Sequence, residues 1–252
     1  MNDFNKLSYS AWKKFKDCPF AFKCTYIDKI KTDSQGSVHT VYGQAFHYVI
    51  EQLLKGTIVI EDSQKTFIDH FLEVSQKCNI PTELDKWLAK FNIEFANFEP
   101  YYYKYKSGII TTEQRFKIPH NDFELVGVMD YTRSSDFVLE LKDWKTGKYF
   151  EDSGQLKFYA FAQSKLMDLS KIKEIKGTLH FVSCNKLYNT LIKPEEITET
   201  QKEIENFVKE VRHLSEFPKT NKNCFFCDHR ELCKANDNPF VGKVRIKKNE
   251  PA

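Results

Sequence analysis

The chain has 252 residues, 41% of them hydrophobic and 29% charged, which suits a folded globular protein and excludes a disordered one. That length suffices for one sizeable domain or a core with an insertion. A net charge of +3 is close to neutral and by itself argues for no nucleic-acid partner. No apolar run approaches the roughly 20 residues that span a bilayer, and the opening MNDFNKLSYSAWKKFKDC lacks the apolar stretch of a secretory signal. The expectation is a cytoplasmic protein of a bacterial or phage-infected cell, without a membrane partner. Seven cysteines in such a reducing compartment do not read as a disulfide framework.

In chain order, Ser8 and Ser10 are candidate N-caps for a helix with Trp12, Phe15 and Phe22 at near-helical spacing, interrupted at Pro19. A polar stretch, 31–36, reads as a loop. A second helix is expected over 44–55, with Phe46, Val49, Ile50, Leu53 and Leu54 on one stripe. Residues 61–106 read as mostly helical and aromatic, a core face whose tyrosines could alternatively stack on unpaired bases. The period then falls to two, predicting strands over 111–118, 123–131 and 136–144. A helix at 153–167, a strand at 176–184 and a helix at 195–215 follow. The segment 242–248 carries four basic residues and no acid, a solvated end or a weak phosphate contact.

Three short segments carry chemistry together. Gly43-Gln44-Ala45-Phe46-His47 lies on a helix, Gly127-Val128-Met129-Asp130 ends a strand, and Asp143-Trp144-Lys145-Thr146-Gly147 ends the next, ahead of Gln155-x-x-x-Tyr159. Hydrolysis of a phosphodiester calls for a hard divalent cation on oxygen ligands, an activated water and nearby positive charge. Asp130 and Asp143 supply carboxylates, and Lys145, two residues beyond Asp143, shares its strand face. His47 offers an imidazole, which tilts the choice towards Mn²⁺ without excluding Mg²⁺. Glu140-x-Lys142 fits the same pattern, but Phe137, Leu139 and Leu141 share parity with Asp143 and Lys145, so the latter pair is chosen. Glu140 then reads as the partner of a nearby base.

With these motifs in this order, joined by Leu7-Ser8-x-Ser10 and Cys18-Pro19, the sequence resembles the RecB-like branch of the PD-(D/E)xK nucleases. Its iron–sulfur members include the CRISPR-adaptation nucleases and the AddB nuclease domain. The resemblance implies a restriction-endonuclease-like α/β core, with a mixed central sheet flanked by helices, a helical insertion near 56–108 and a single domain over 1–252. It implies that His47, Asp130 and Asp143 bind Mg²⁺ or Mn²⁺, that Lys145 is catalytic, that Gln155 and Tyr159 flank the site, and that Glu113 is a supporting carboxylate.

Cys224-x-x-Cys227-x₅-Cys233 gathers three thiols within ten residues. The resemblance supplies Cys18 as a fourth and implies a [4Fe–4S] cluster that staples 224–233 to Cys18. Structural Zn²⁺ is the alternative, with His229 and Cys24 as further ligands. Cys78 and Cys184 read as buried small residues. The expected activity is exonucleolytic hydrolysis of single-stranded DNA or DNA ends. A catalytically silent DNA-binding or assembly subunit, or an RNA-processing nuclease, is the alternative. No Gly-x₄-Gly-Lys-[Ser/Thr] occurs in the chain, so a helicase motor, or another recombination or replication protein, would be a partner.

Overall fold

The computed structural model describes residues 2–30, 37–81, 83–108, 110–135, 137–220, 224, 227–230 and 232–233. The expected loop at 31–36 and the basic segment at 242–248 lie outside these residues. The chain divides into two compact units, Met1–Ser34 with Phe207–Ala252, and Gln35–Asn206.

The first unit opens with a short strand, β1 (Lys6–Leu7), and helix α1 (Tyr9–Asp17), which Ser8 caps by accepting from the amide of Ala11 at 3.1 Å. Extended backbone at Cys18 ends that helix, and Pro19 starts α2 (Pro19–Phe22) at its first position, where the missing N–H costs nothing. Phe22 is fully buried, edge-on to Phe4 and Phe15 at 5.2 and 5.3 Å. The expected break at Pro19 and the aromatic stripe are both present.

The second unit begins with α3 (Val38–Lys55), earlier than expected because the Ser37 side chain accepts from the Thr40 amide at 3.3 Å and caps it. Its apolar stripe, Tyr42, Phe46, Val49, Ile50 and Leu53, is buried. Between α3 and the sheet come α4 (Ser63–Lys77), α5 (Leu84–Phe98) and the short α6 (Tyr102–Lys106), which fill the interval expected to be helical. Phe67, Phe71, Phe91, Phe98, Tyr102 and Tyr105 join the α3 stripe in one core, whereas Tyr103 is 74% exposed.

Strands β2 (Ile110–His120), β3 (Phe123–Ser134), β4 (Val138–Lys145), β5 (Glu174–Phe181) and β6 (Lys186–Ile192) pair in that order. The β4–β5 pair is parallel and the others antiparallel, so the sheet is mixed. The parallel crossover carries α7 (Gly154–Leu166), whose Leu156, Phe158, Phe161 and Ala162 are fully buried. Helix α8 (Pro194–His213) follows β6. Strand β6 was not expected from the sequence. Its solvent-facing alternation hides a hydrophobic signal, although Asn185, with φ of 51°, marks the hairpin turn before it. Two further expectations are corrected: Cys184 is exposed and Cys78 only half-buried, since each sits at a turn or helix end rather than on a core face.

Two predictions follow from packing. A methyl group at Gly127 would lie 2.6 Å from Cζ of Phe116, its buried cross-strand partner. Gly127→Ala is therefore expected to cost about 1–3 kcal/mol in denaturant unfolding, and Phe116→Leu added to it to recover part of that loss. His180 is fully buried, and burial, with the charge of Lys142, depresses its pKa from 6.5 to about 4. A depressed value means the fold favours the neutral ring. Its stabilisation is complete above pH 6.5 and is lost as pH falls towards 4, by roughly 3 kcal/mol. A His180→Asn variant should flatten that part of the stability–pH curve.

Candidate active site

The antiparallel register places Glu113 opposite Asp130, because Thr112 pairs with Tyr131 and Gln114 with Met129. The β3–β4 ladder ends at Tyr131 with Lys142, one residue short of Asp130 and Asp143. Where the strands part, the Asp130 carboxylate accepts from the Trp144 amide at 3.1 Å instead. Glu113 has φ of 48°, left-handed backbone in a residue with a side chain, a strain of about 1–3 kcal/mol of the kind that collects at functional sites.

Helix α3 brings His47 to these acids. Its Nδ1 lies 3.2 Å from Oδ2 of Asp130 and 3.8 Å from Oε1 of Glu113. Its Nε2 donates to the Trp144 carbonyl at 2.9 Å, which leaves Nδ1 as the ligand nitrogen when the ring is neutral. Burial acts to lower the His47 pKa, but the Asp130 and Glu113 carboxylates overcome it and hold it well above 6.5. The ligand atoms of His47, Glu113 and Asp130 all lie within 4.8 Å of one another, the one such group among the described residues.

Asp143 and Lys145 form the neighbouring half of the site. Lys145 Nζ lies 2.5 Å from Asp143 Oδ2, an ion pair that occupies this buried oxygen. Gln155 on α7 fixes both: its Oε1 accepts from Lys145 at 2.7 Å and its Nε2 donates to Asp143 Oδ1 at 2.6 Å. The same Nε2 reaches the Tyr159 hydroxyl at 2.8 Å. Burial, and then the charge of Asp130, push the Asp143 carboxyl up to about 6. Asp130 moves the other way: burial raises it, but His47 and Lys145 more than offset that and its pKa falls below 3.8. Burial also raises the Tyr159 hydroxyl, which stays protonated.

A hard divalent cation fits this set. The carboxylates of Glu113 and Asp130 and one imidazole nitrogen converge, with the buried Asp143 carboxylate beside them. The convergent trio includes Glu113, expected only in support, while Asp143 is engaged by Lys145 and Gln155. The backbone of Trp144, which holds both His47 and Asp130, has no signature in sequence.

The cysteines behave differently. Cys18, Cys224, Cys227 and Cys233 are free and half-buried, and no three of their sulfurs lie within 4.8 Å of one another. A tetrahedral zinc with Zn–S near 2.3 Å would hold its thiolates roughly 3.8 Å apart. The structure does not show the expected iron–sulfur staple: no three sulfurs come together on one ion, although Cys227 lies close enough to Cys18, and Cys24 to Cys227 and Cys233, for their charges to interact. Burial pushes the Cys24 and Cys227 thiols up. His229 Nε2 is engaged with the Thr25 hydroxyl at 2.8 Å.

A family model for the PD-(D/E)XK nuclease superfamily matches residues 6–234. The chain is similar in fold to the crystal structure of a "Putative exonuclease" from Eubacterium rectale, at 13% identity and TM-score 0.56, covering 98% of this chain and 91% of that one. A weaker likeness to SSO0001, at 11% identity and TM-score 0.43, covers 93% and 89% and carries no argument. No curated protein sequence matches. With the family model spanning both halves of the acid site, the chain belongs to the PD-(D/E)XK nuclease superfamily.

Proposed function

We propose that this chain is a metal-dependent DNA exonuclease that hydrolyses phosphodiester bonds of single-stranded DNA or of strand ends. The observation that carries the reading is the convergence of His47, Glu113 and Asp130 beside the buried Asp143–Lys145 pair. In this reading His47, Glu113, Asp130 and Asp143 hold Mg²⁺ or Mn²⁺. A cation bound there supplies Lewis acidity towards a phosphoryl oxygen and acidifies a bound water. Lys145 offers positive charge to the scissile phosphate, and Gln155, bonded to both Lys145 and Asp143, keeps the ammonium in place. Tyr159 anchors Gln155. Attack at ends of DNA rather than within it, or on RNA, is the mode favoured by the resemblance to the RecB-like branch. Any unwinding would come from a separate helicase. Both compact units belong to one nuclease domain in this reading, since the family match runs over 6–234.

Labelled single-stranded DNA, duplex DNA and RNA incubated with Mn²⁺ test this directly, and loss of DNA from one end with RNA intact is the expected result. Asp143→Asn and Lys145→Ala should each lower the cleavage rate at least about a hundredfold, with melting temperature and DNA binding retained. Wild-type rates in both variants would remove the assignment.

Calorimetric titration of the protein with Mn²⁺ should show one strong site that Asp130→Asn abolishes. His47→Ala should weaken Mn²⁺ more than Mg²⁺, because only the softer ion gains from a nitrogen ligand. The iron–sulfur expectation rests on cysteine spacing and on the resemblance that supplies Cys18. Iron analysis of protein made without oxygen decides it, and the hydrolytic reading stands with either answer because no cysteine enters it.

A further inference from the structure

On β4, Glu140 and Lys142 alternate with Asp143 and Lys145 and so stand on the other sheet face. Their register partners on β5, Lys176 and Thr178, share that face, and Thr178 in turn pairs with Asn189 on β6. With Lys104 from α6 these side chains line a concavity of about 390 Å³. An adjoining one of about 780 Å³ shares Glu140 and Lys176 and adds Arg133, Ser107 and Ser135.

Charge is out of balance here. The smaller concavity is lined by three lysines and a single acid. Glu140 is claimed twice, by Lys142 at 2.6 Å and by Arg133, so one carboxylate serves two cations. Lys142 is only 7% exposed, where a partly compensated charge is costly. Lys176 has Glu174 at 2.8 Å, but on a half-exposed side chain, where such a pair contributes little. Asn189 Oδ1 accepts from Thr178 at 2.9 Å, which leaves its NH₂ group as a further donor.

We propose that this pocket binds a phosphate group through Lys104, Lys142, Lys176 and Asn189. A phosphate monoester brings a charge near −2 and three acceptor oxygens, and a backbone diester one charge and two such oxygens; both match ammonium and amide donors around one shared acid. The volume leaves space for a nucleoside attached to it. The adjoining concavity, with Arg133 and hydroxyl groups, suits a continuing strand. The phosphate comes either from a strand backbone or from a free mononucleotide. The inference is independent of hydrolysis, because binding is read with the cation removed.

The test compares wild type with the Lys104→Ala/Lys176→Ala double variant in EDTA. Both positions are at least partly exposed, so circular dichroism and melting temperature should match those of wild type. Inorganic phosphate, a 5′-deoxynucleoside monophosphate and a single-stranded oligonucleotide are titrated separately. We expect the double variant to bind at least one of these probes about tenfold more weakly. If the oligonucleotide loses this factor and its log–log salt slope falls by about one to two, the source is a strand backbone. If only phosphate and the monophosphate lose it, the source is a free phosphate. Equal affinities of wild type and variant for all three probes, or no binding of any by wild type, would overturn the proposal, whatever the cleavage assay shows.

Discussion

Placing two carboxylates side by side inside a protein costs free energy, and the second unit is arranged around that cost. Asp130 and Asp143 are 7% and 2% exposed, and each makes ionisation of the other harder. The protein answers asymmetrically. Asp130 takes His47 and the Trp144 amide and becomes the stronger acid. Asp143, although paired with Lys145 and bonded to Gln155, is pushed up to about 6 by burial and by the charge of Asp130. Glu113 adds a third acid from a strained residue. The His47 imidazole and the Lys145 ammonium beside these carboxylates offset part of their mutual repulsion.

The helical insertion braces that arrangement. Glu94 on α5 is 3% exposed and accepts from the Tyr42 hydroxyl at 2.6 Å, while Lys90 pairs with it and sits 4.0 Å above the Tyr42 ring. Lys90 also reaches the Thr146 carbonyl at 3.4 Å, and Asn97 donates to the Val182 carbonyl at 2.7 Å. Tyr42 and His47 share α3, and Thr146 follows Lys145, so one polar chain links the helix bearing the imidazole with the segment bearing the ammonium. Buried polar chains of this kind hold geometry when every member is satisfied.

The two faces of the sheet carry different loads. Leu139 and Leu141 on one face are buried, and Leu156 of α7 lies so close to Gly177 that a side chain there would collide with it. On the other face Trp144, His180 and Lys142 are buried around Tyr105, and His180 is held neutral. This face is covered at β4 but open at β6, where Leu191 is 62% exposed. On the same face Arg133 and Lys142 share the single carboxylate of Glu140.

Much of this was readable from residue order. The alternation of Leu139, Leu141, Asp143 and Lys145 assigns the acid and the lysine to one face, and the α3 stripe places His47 at the edge of a buried helix, because period alone decides which side chains share a surface. Phe137 has the same parity but is 53% exposed, since it lies ahead of the strand, and parity holds only within one. Strand β6 escaped notice because a half-exposed strand with Asn189 and Thr190 lacks a hydrophobic signature. What only the tertiary structure decided is which backbone groups meet. The Trp144 carbonyl takes His47 from 97 positions away, and its amide takes Asp130. The opposed proton affinities of the two acids follow from those meetings. Periodicity orients a side chain about its own axis, but distance and burial between remote segments are settled only when the elements pack.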